Sequence, residues 1–403
     1  MPRKIVSLIT PSFTPDVSSA AQRMDAAAKA LSASYTVHVF TFADSNSEIV
    51  NHSVKCDENL TIHYVSIRKY NKSNFLLRTF FEIWYSYKLL RRANRVKCDL
   101  VIVSIPFMFL LKLVVRNSNA KNKIVDIRDL SWLNKNAKEF FIKKISKRLA
   151  GNSQKCLALY DHVIVTNEHE MRWLLKMTTI PGSKILIIPN GISRGKIKKL
   201  KEVKYTTNEQ RYTITYIGNI GSDQNLFSII NAVKGMRGVW LNIIGDGISL
   251  TALREYVSKN KISNVSLPGQ LKWTRVIPYY QTSDLLFDTL TENCDTAIPA
   301  KLYEYLATGL PVLFQGRGPA AAFLITYKNT FVTSYNDSAA LEKLIWRIKS
   351  LVPERSENNA RLIGSRFIRE KQSIHFAEIC AKLLNEKAPS NVFVEDILLG
   401  AEH

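Results

Sequence analysis

The chain lacks the cysteine pattern of a disulfide framework or a zinc site. Five cysteines occur among 403 residues, an odd number, and no two of them form a C-x-x-C pair. Disulfide scaffolds and structural zinc sites need paired or closely spaced cysteines, so the pattern favours a reducing compartment. The seven histidines also lack the spacing of metal ligands. We therefore expect no metal site.

A hydrophobic run long enough to cross a bilayer is also missing. The longest one, residues 100–115, is interrupted by Ser104, Pro106 and Lys112, whereas a transmembrane helix needs about 20 apolar residues. This run instead predicts a buried strand that leads into a helix. The basic first residues are followed by an apolar stretch of strand length only, which is too short for a signal peptide. These absences predict a cytoplasmic protein without a transmembrane anchor.

Acidic residues are scarce, and the scarcity is confined to one half. The chain has 56 Lys and Arg against 34 Asp and Glu, a formal net charge of +22. Residues 1–200 contain 33 basic and 14 acidic side chains, and the remainder contains 23 and 20. An excess restricted to one part predicts that this part faces an anionic surface. Nucleic acid is an unlikely partner, because no nucleic-acid-binding module accompanies the charge.

The residues that are present predict two packed α/β domains. A length of 403 residues exceeds what one hydrophobic core supports, and 46% of the residues are hydrophobic. Apolar strands alternate with amphipathic helices, which predicts parallel, doubly wound sheets with ligands at the carboxyl ends of the strands. The predicted strands are residues 5–10, 36–42, 60–67, 99–105, 123–127, 162–166, 185–188, 212–217, 239–244, 265–267, 284–288 and 311–314.

A turn and a polar stretch mark the domain boundary. Residues 189–192, Pro-Asn-Gly-Ile, form a turn signature, and the basic stretch after them has little apolar periodicity. We therefore divide the chain into four parts. These are a first domain over 1–195, a linker over 196–210, a second domain over 211–370, and a last helix and tail over 371–403.

The most informative segment is residues 298–312, IPAKLYEYLATGLPV. Pro299 and Ala300 open a helix, and the unpaired N–H groups of a helix N-terminus favour an anion. Lys301 adds a cation to that end. Glu304 lies one turn further on the same face, where its carboxylate can accept hydrogen bonds from a vicinal diol. A phosphate together with a ribose makes a nucleotide, which is the ligand that this segment predicts.

This segment resembles the donor-site helix of family-four glycosyltransferases, which are retaining enzymes of the two-Rossmann (GT-B) type. It is most similar to members that write Pro-Ser-Lys-hydrophobic-Tyr/Phe-Glu-Tyr and act in O-antigen or capsule synthesis, including amino-sugar transferases. The resemblance implies two Rossmann-like domains that face a central cleft, with Glu304 holding the ribose. It also implies no metal, no cofactor and no protein nucleophile. The donor-binding residues expected from this helix are Pro299, Ala300, Lys301, Leu302 and Glu304.

Further donor contacts are expected at strand ends of the second half. Gly218, Asn219 and Gly221 end a strand in a turn that resembles the family's loop beneath the donor diphosphate, and a structural turn is the simpler reading of such glycines. Gln270 is a candidate partner for the nucleobase. Two positions depart from the family pattern. Gln224 and Asn225 stand where the family often has a Lys-Gly that contacts phosphate, and Thr296 replaces a glutamate that contacts the donor sugar.

Two stretches of the first half carry candidate residues for the acceptor and for catalysis. Ser18, Ser19 and Arg23 begin the first helix and face the acceptor or the donor phosphates by resemblance, although Arg23 fits a solvent-exposed helix face equally well. Arg128 and Asp129 follow an apolar strand, where α/β ligands bind. The resemblance assigns Asp129 to a sugar hydroxyl and Arg128 to the leaving diphosphate. A structural ion-pair cluster of these two residues with Asp126 is the alternative.

Two basic segments rich in aromatic residues, 68–97 and 135–155, have the composition of interfacial membrane helices. Their alternative role, helices that cover the sheet with solvated outer faces, accounts for part of the apolar residues, and both readings hold together. The expected membrane-facing residues are Arg91, Arg92, Lys143, Lys144, Lys147 and Arg148.

Together these observations predict a cytoplasmic glycosyltransferase, peripheral on the inner membrane, that acts in surface polysaccharide synthesis. It would move a hexose or an N-acetylated amino sugar from a UDP-sugar donor to a lipid-linked saccharide acceptor, with retention. Two alternatives stay open. One is a non-catalytic protein of the same fold that binds anionic membranes. The other is a sugar-nucleotide epimerase, although the carboxylates and the histidine that it needs are not evident.

Overall fold

The computed structural model describes residues 2–43, 51–67, 75–105, 108–128, 130, 155–206, 208–335 and 337–386. These residues form two compact units. The first unit is drawn from two segments, Met1–Asn190 and Arg369–His403, and the second from the continuous segment Gly191–Ile368. Each unit contains one sheet with hydrophobic cores on its two faces.

The first unit is built on an eight-stranded sheet. Its strands are β1 (Ile5–Ile9), β2 (Thr36–Phe42), β3 (His52–Lys55), β4 (Leu60–Val65), β5 (Leu100–Ile105), β6 (Asn122–Ile127), β7 (His162–Val165) and β8 (Ile185–Ile187). They lie in the order β3-β4-β2-β1-β5-β6-β7-β8, and every neighbouring pair is parallel except β3 with β4. All six residues of β5 are buried, with alternate side chains in cores on opposite faces. A parallel strand covered on both faces needs such a continuous apolar sequence.

The described helices of this unit are α1 (Ser19–Ser32), α2 (Phe75–Ala93), α3 (Met108–Asn117), α4 (Glu168–Met177) and α13 (Arg369–Leu383). Ser18 caps α1 by accepting a hydrogen bond from the backbone N–H of Ala21 at 3.3 Å. The inner face of α1 is rich in alanine, and small side chains let α13 approach closely. Phe376 and Cys380 of α13 are accordingly buried in the same core as Ala27.

The second unit is built on a six-stranded sheet. Its strands are β9 (Tyr212–Ile217), β10 (Val239–Ile244), β11 (Val265–Gly269), β12 (Leu285–Thr289), β13 (Val312–Gln315) and β14 (Thr330–Thr333). They lie in the order β11-β10-β9-β12-β13-β14, and all neighbouring pairs are parallel. The order reverses between β9 and β12, so this is the topological switch point at which open α/β sheets bind ligands.

The described helices of the second unit are α5 (Arg194–Lys201), α6 (Phe227–Val233), α7 (Leu250–Lys259), α8 (Trp273–Gln281), α9 (Ala300–Thr308), α10 (Pro319–Leu324), α11 (Ser338–Leu351) and α12 (Glu357–Arg366). The segment predicted as a linker, 196–210, therefore begins inside a helix. Ile197 and Leu200 of α5 are buried in the core of the second unit. Two apolar positions three apart are too weak a pattern to reveal a helix of eight residues among so many lysines.

The predicted α/β class with two Rossmann-like sheets is confirmed. The run at 100–115 forms β5 and most of α3, as predicted. The sequence pattern missed β3 and β14, whose residues are mostly half-buried or exposed and so lack a clear apolar alternation. No described helix is long and apolar enough to cross a membrane.

Candidate functional site

The turn after β9 packs backbone against backbone. The N–H of Gly218 donates to the carbonyl of Ile244 at 2.9 Å. A Cβ atom on Gly245 would lie 1.8 Å from the carbonyl oxygen of Gly218, so no side chain fits there. The glycines of these two turns therefore allow the ends of β9 and β10 to meet closely. The turn after β9 thus lies beside the switch point of the sheet.

Helix α9 points its N-terminus toward the end of β9. Pro299 is the N-cap residue and supplies no side-chain hydrogen bond to the first turn. The first N–H groups of a helix have no partner within it, so those of Ala300 and Lys301 are suited to an anion. Tyr305 joins the same helix to the strand, because its hydroxyl accepts a hydrogen bond from the N–H of Ile217 at 2.7 Å.

The ammonium of Lys301 lies over Gly218. Its Nζ atom is 2.7 Å from the place that a Cβ atom on Gly218 would take. It also lies 2.7 Å from the hydroxyl of Tyr216 and 3.1 Å from Oδ1 of Asp288. The predicted phosphate cation is thus at the strand end, as its role requires, but it already has a carboxylate partner. The sequence reading did not include Asp288.

The carboxylate of Glu304 is held by three donors. Its Oε2 accepts from the ammonium of Lys196 at 2.8 Å, and its Oε1 accepts from Nε1 of Trp273 at 2.7 Å and from the hydroxyl of Tyr280 at 2.8 Å. Burial by itself raises the pKa of this carboxyl. The ion pair with Lys196 and the three hydrogen bonds outweigh burial and hold the pKa of Glu304 below its ordinary value.

This arrangement limits what Glu304 can bind. An ionised carboxylate accepts about four hydrogen bonds, and three are made within the protein. The remaining acceptor site is on Oε2, which has a single donor. Glu304 in this state can therefore take one hydroxyl rather than both hydroxyls of a vicinal diol.

Gln224 closes the glycine turn from inside. Its Oε1 accepts from the N–H of Gly221 at 3.0 Å and from Nδ2 of Asn219 at 3.2 Å. Gln224, which stands where the family often has a phosphate-binding lysine, thus stabilises the loop itself. Asn219 and Gln270 are exposed, and Thr296 is buried.

Arg23 in the first unit is buried rather than solvent-exposed. Its side chain is 9% exposed, and its guanidinium donates to Asp126 at 2.8 Å and to the carbonyl of Pro189 at 3.2 Å. Asp126, at the end of β6, is fully buried and also accepts from the hydroxyl of Ser104 at 3.3 Å. The predicted solvent-exposed position of Arg23 is therefore wrong, because a buried carboxylate 103 residues away binds it. Its predicted role at the acceptor or the donor phosphates stays a prediction.

The other predicted residues of the first unit are placed as follows. Ser18 is the N-cap of α1 and also donates to Asp16 at 2.8 Å, and Ser19 is exposed. Arg128 follows β6 directly and is half-buried. Five predicted residues lie outside the described part of the chain: Asp129, Lys143, Lys144, Lys147 and Arg148.

One face of α2 is apolar and exposed. Phe80 is 61% exposed, Trp84 47% and Tyr87 48%. These side chains recur at helical spacing with Leu77 and continue into Arg91, which is exposed. Tyr85, Leu89 and Leu90 cover the sheet from the opposite face of the helix. The two expectations for this segment, cover for the sheet and an exposed amphipathic face, therefore describe its two faces.

The sequence reading missed four residues of the site in the second unit: Lys196, Trp273, Tyr280 and Asp288. The acid in the apolar strand LLFDT was the available signal for Asp288, since an unpaired buried carboxylate is costly. Lys196 was assigned to the linker. Trp273 and Tyr280 carried no signal, because aromatic residues at helical spacing usually fill cores.

Two family models match the chain, one in each half. A family model described as Glycosyl transferases group 1 matches residues 197–363, and one described as Glycosyltransferase Family 4 matches residues 20–195. The chain is therefore a glycosyltransferase of the GT-B fold. No curated protein matches it in sequence.

Solved structures share the fold at low sequence identity. Sucrose-phosphate synthase from Thermosynechococcus elongatus is 13% identical, with a TM-score of 0.71 over 95% of this chain and 100% of that chain. WaaG, a glycosyltransferase involved in lipopolysaccharide biosynthesis, is 14% identical, with a TM-score of 0.69 over 93% and 99%. HepE from Anabaena in complex with UDP-glucose is 14% identical, with a TM-score of 0.64 over 94% and 100%.

Proposed function

We propose that the chain transfers a sugar from a UDP-sugar to a lipid-linked saccharide acceptor during the synthesis of a surface polysaccharide. The sugar is a hexose or an N-acetylated amino sugar, and the anomeric configuration is retained. The fold neighbours support the two substrates separately. HepE binds UDP-glucose, and WaaG acts in lipopolysaccharide biosynthesis.

One observation carries the proposal. Lys301 and Glu304 lie three residues apart on one face of α9. The ammonium of Lys301 lies over Gly218, and the carboxylate of Glu304 is held by Lys196 and Trp273. A diphosphate at the helix N-terminus would meet backbone N–H groups and an ammonium, and its ribose would reach the free acceptor site on Oε2 of Glu304. This is the arrangement that a nucleotide needs.

The chemistry assigned to these groups is stabilisation of the leaving group. When the bond between the sugar and the diphosphate breaks, negative charge grows on the departing phosphate oxygen. Fixed N–H donors of α9 and the Lys301 ammonium would offset that charge without reorganising. The acceptor hydroxyl attacks the anomeric carbon and gives its proton to the departing phosphate. Arg128 and Asp129 remain predictions for the leaving diphosphate and for a sugar hydroxyl.

The membrane-peripheral location is part of the same proposal. The exposed face of α2 combines Phe80, Trp84 and Tyr87 with Arg91, and Lys88 lies 6.0 Å from the centre of the Trp84 ring. Aromatic rings enter the headgroup region of a bilayer, and each nearby cation contributes about 1 kcal/mol of attraction to anionic lipid. Such a surface would hold the enzyme where a lipid-linked acceptor is presented.

The proposal is tested by a screen of nucleotide sugars with the purified full chain. UDP should raise the apparent melting temperature, since a ligand that binds only the native state stabilises it by mass action. A UDP-sugar should be consumed only when a lipid-linked saccharide is present, with the product identified by mass. Conversion of the UDP-sugar to an isomer without acceptor would instead identify an epimerase. Lipid binding without any nucleotide effect would identify a non-catalytic protein.

A further inference from the structure

A buried carboxylate adjoins the proposed phosphate site. Asp288 is 0% exposed and stands in β12 after three apolar residues, Leu285, Leu286 and Phe287. Its Oδ1 accepts from the N–H of Thr289 at 2.8 Å. Its Oδ2 is buried and has no hydrogen-bond partner among the described residues. A carboxylate in such surroundings is expensive, because burial disfavours its charge.

The cost of this burial is offset by one ammonium. Lys301 lies 3.1 Å from Oδ1 of Asp288, and the Tyr216 hydroxyl accepts from the same ammonium at 2.7 Å. The ammonium also lies 4.1 Å from the centre of the Tyr216 ring. Burial raises the pKa of Asp288, and Lys301 opposes that rise. The ammonium is thus held by two residues near the ends of β9 and β12, Tyr216 and Asp288.

Stability alone does not explain Asp288. Replacing a buried ion pair by apolar residues is often neutral or stabilising, and the three residues before Asp288 in β12 are apolar. The unpartnered Oδ2 makes the burial still less favourable. The consequence of the pair lies instead in the charge of the site. The positive charge of Lys301 is already balanced by the Asp288 carboxylate. Gln224, in the turn after β9, adds no charge.

We propose that Asp288 is a positioning residue that holds Lys301 over Gly218 and offsets its charge, so that backbone N–H groups grip a nucleoside diphosphate and the product can leave. This inference rests on the proposed donor site. Its physical reason is competition, because a bound diphosphate and the Asp288 carboxylate are two anions that share one ammonium. The carboxylate thereby lowers the affinity of the site for phosphate, and leaves the affinity for the nucleoside unchanged.

The test compares the affinities for UDP and for uridine. The two ligands differ only in the diphosphate, so the ratio of the affinities reports the contribution of the phosphates. Affinities of both ligands are measured by calorimetry for the wild type, Asp288→Asn and a control, Glu292→Gln. The control removes one negative charge from an exposed side chain of the neighbouring 3₁₀ turn, which pairs with Arg317. Asp288→Asn should raise the ratio of UDP affinity to uridine affinity about tenfold. Glu292→Gln should leave this ratio unchanged.

An unchanged or lowered ratio in Asp288→Asn would overturn the inference while the donor site stands. Failure of the wild type to bind UDP, GDP or ADP would overturn the donor site, and the inference with it. If Asp288→Asn does not fold, the salt dependence of UDP binding to the wild type tests the inference. A site with balanced charge should change its UDP affinity less than about threefold between roughly 50 and 500 mM NaCl. A steep salt dependence would contradict the assigned role of Asp288.

Discussion

The ammonium of Lys196 lies 2.8 Å from Oε2 of Glu304, although 108 residues separate them in the chain. Lys196 also lies 5.1 Å from the centre of the Trp273 ring, and Trp273 donates to the other oxygen of the same carboxylate. Glu304 is thereby kept ionised and fixed in one orientation. A side chain from the first turn of α5 thus orients the residue that we assign to the ribose.

Lys196→Met should destabilise the chain by about 3 kcal/mol at neutral pH, because it leaves a buried carboxylate without its cation. In the wild type the pKa of Glu304 is lower in the folded chain than in the unfolded chain. The ionised carboxylate therefore stabilises the fold when the pH is above the unfolded-state pKa, and this stability is lost as the pH falls through the folded-state pKa. Without Lys196, burial raises the pKa, so the difference between variant and wild type should shrink as the pH falls. Urea unfolding from about pH 8 to pH 4 measures this.

Lys198→Met is the control for that experiment, because Lys198 is exposed on the same helix. It should shift the urea midpoint little at any pH. A constant difference between Lys196→Met and the wild type across the whole pH range would argue against an ion pair with Glu304.

Glu304→Gln should weaken UDP binding about ten- to a hundredfold, since a hydrogen bond to a charged acceptor contributes about 1.5–3 kcal/mol. The loss should be specific to the ribose. The wild type should prefer UDP to its 2′,3′-dideoxy analogue, and Glu304→Gln should bind the two with similar affinity. Glu255→Gln, on the exposed surface of α7, should behave as the wild type. A retained preference in Glu304→Gln would remove Glu304 from the ribose site.

Arg23→Met should destabilise the first unit by about 3–5 kcal/mol, because it leaves Asp126 buried and unpaired. Arg172→Met provides the contrast, since Arg172 forms an exposed ion pair with Glu168, worth at most about 0.5 kcal/mol. Denaturant unfolding followed by fluorescence measures both. The double variant Arg23→Met with Asp126→Leu should recover much of the loss, as an apolar pair needs no partner. No recovery would mean that the guanidinium has a further structural role.

Trp84→Ser should reduce sedimentation with vesicles of anionic lipid about tenfold, because an exposed aromatic ring of α2 no longer enters the headgroup region. Trp346→Ser is matched in exposure, at 43% against 47%, and lies in the second unit. It should sediment as the wild type does. Equal losses in both variants, or none in either, would contradict the assignment of α2 to the membrane.

The sequence was sufficient for elements whose signal is local. Apolar runs such as those of β5 and β9 identify their strands at once, and Pro299 marks the start of α9 within a residue. The positions of Lys301 and Glu304 on one turn followed from helical spacing alone. These features depend on neighbours within a few residues, which is the range that periodicity reports.

Partners from distant segments escaped prediction. Arg23 was read as a solvent- or ligand-facing residue because Asp126 is 103 residues away, and local reasoning grouped Asp126 with Arg128 and Asp129 instead. Lys196 was assigned to a linker because its helix is short and its role depends on Glu304. An ion pair between distant segments depends on how strands and helices are arranged in the fold, and no single stretch of sequence shows that arrangement.

The return of α13 to the first unit has a consequence for biosynthesis. Residues 191–368 form the second unit from one uninterrupted stretch, whereas the core around α1 also needs Phe376 and Cys380. Because a chain leaves the ribosome from its N-terminus, the unit translated first is the last to be completed. Until its closing helix emerges, the alanine-lined surface of α1 stays uncovered, which makes the nascent first half a natural client for chaperones.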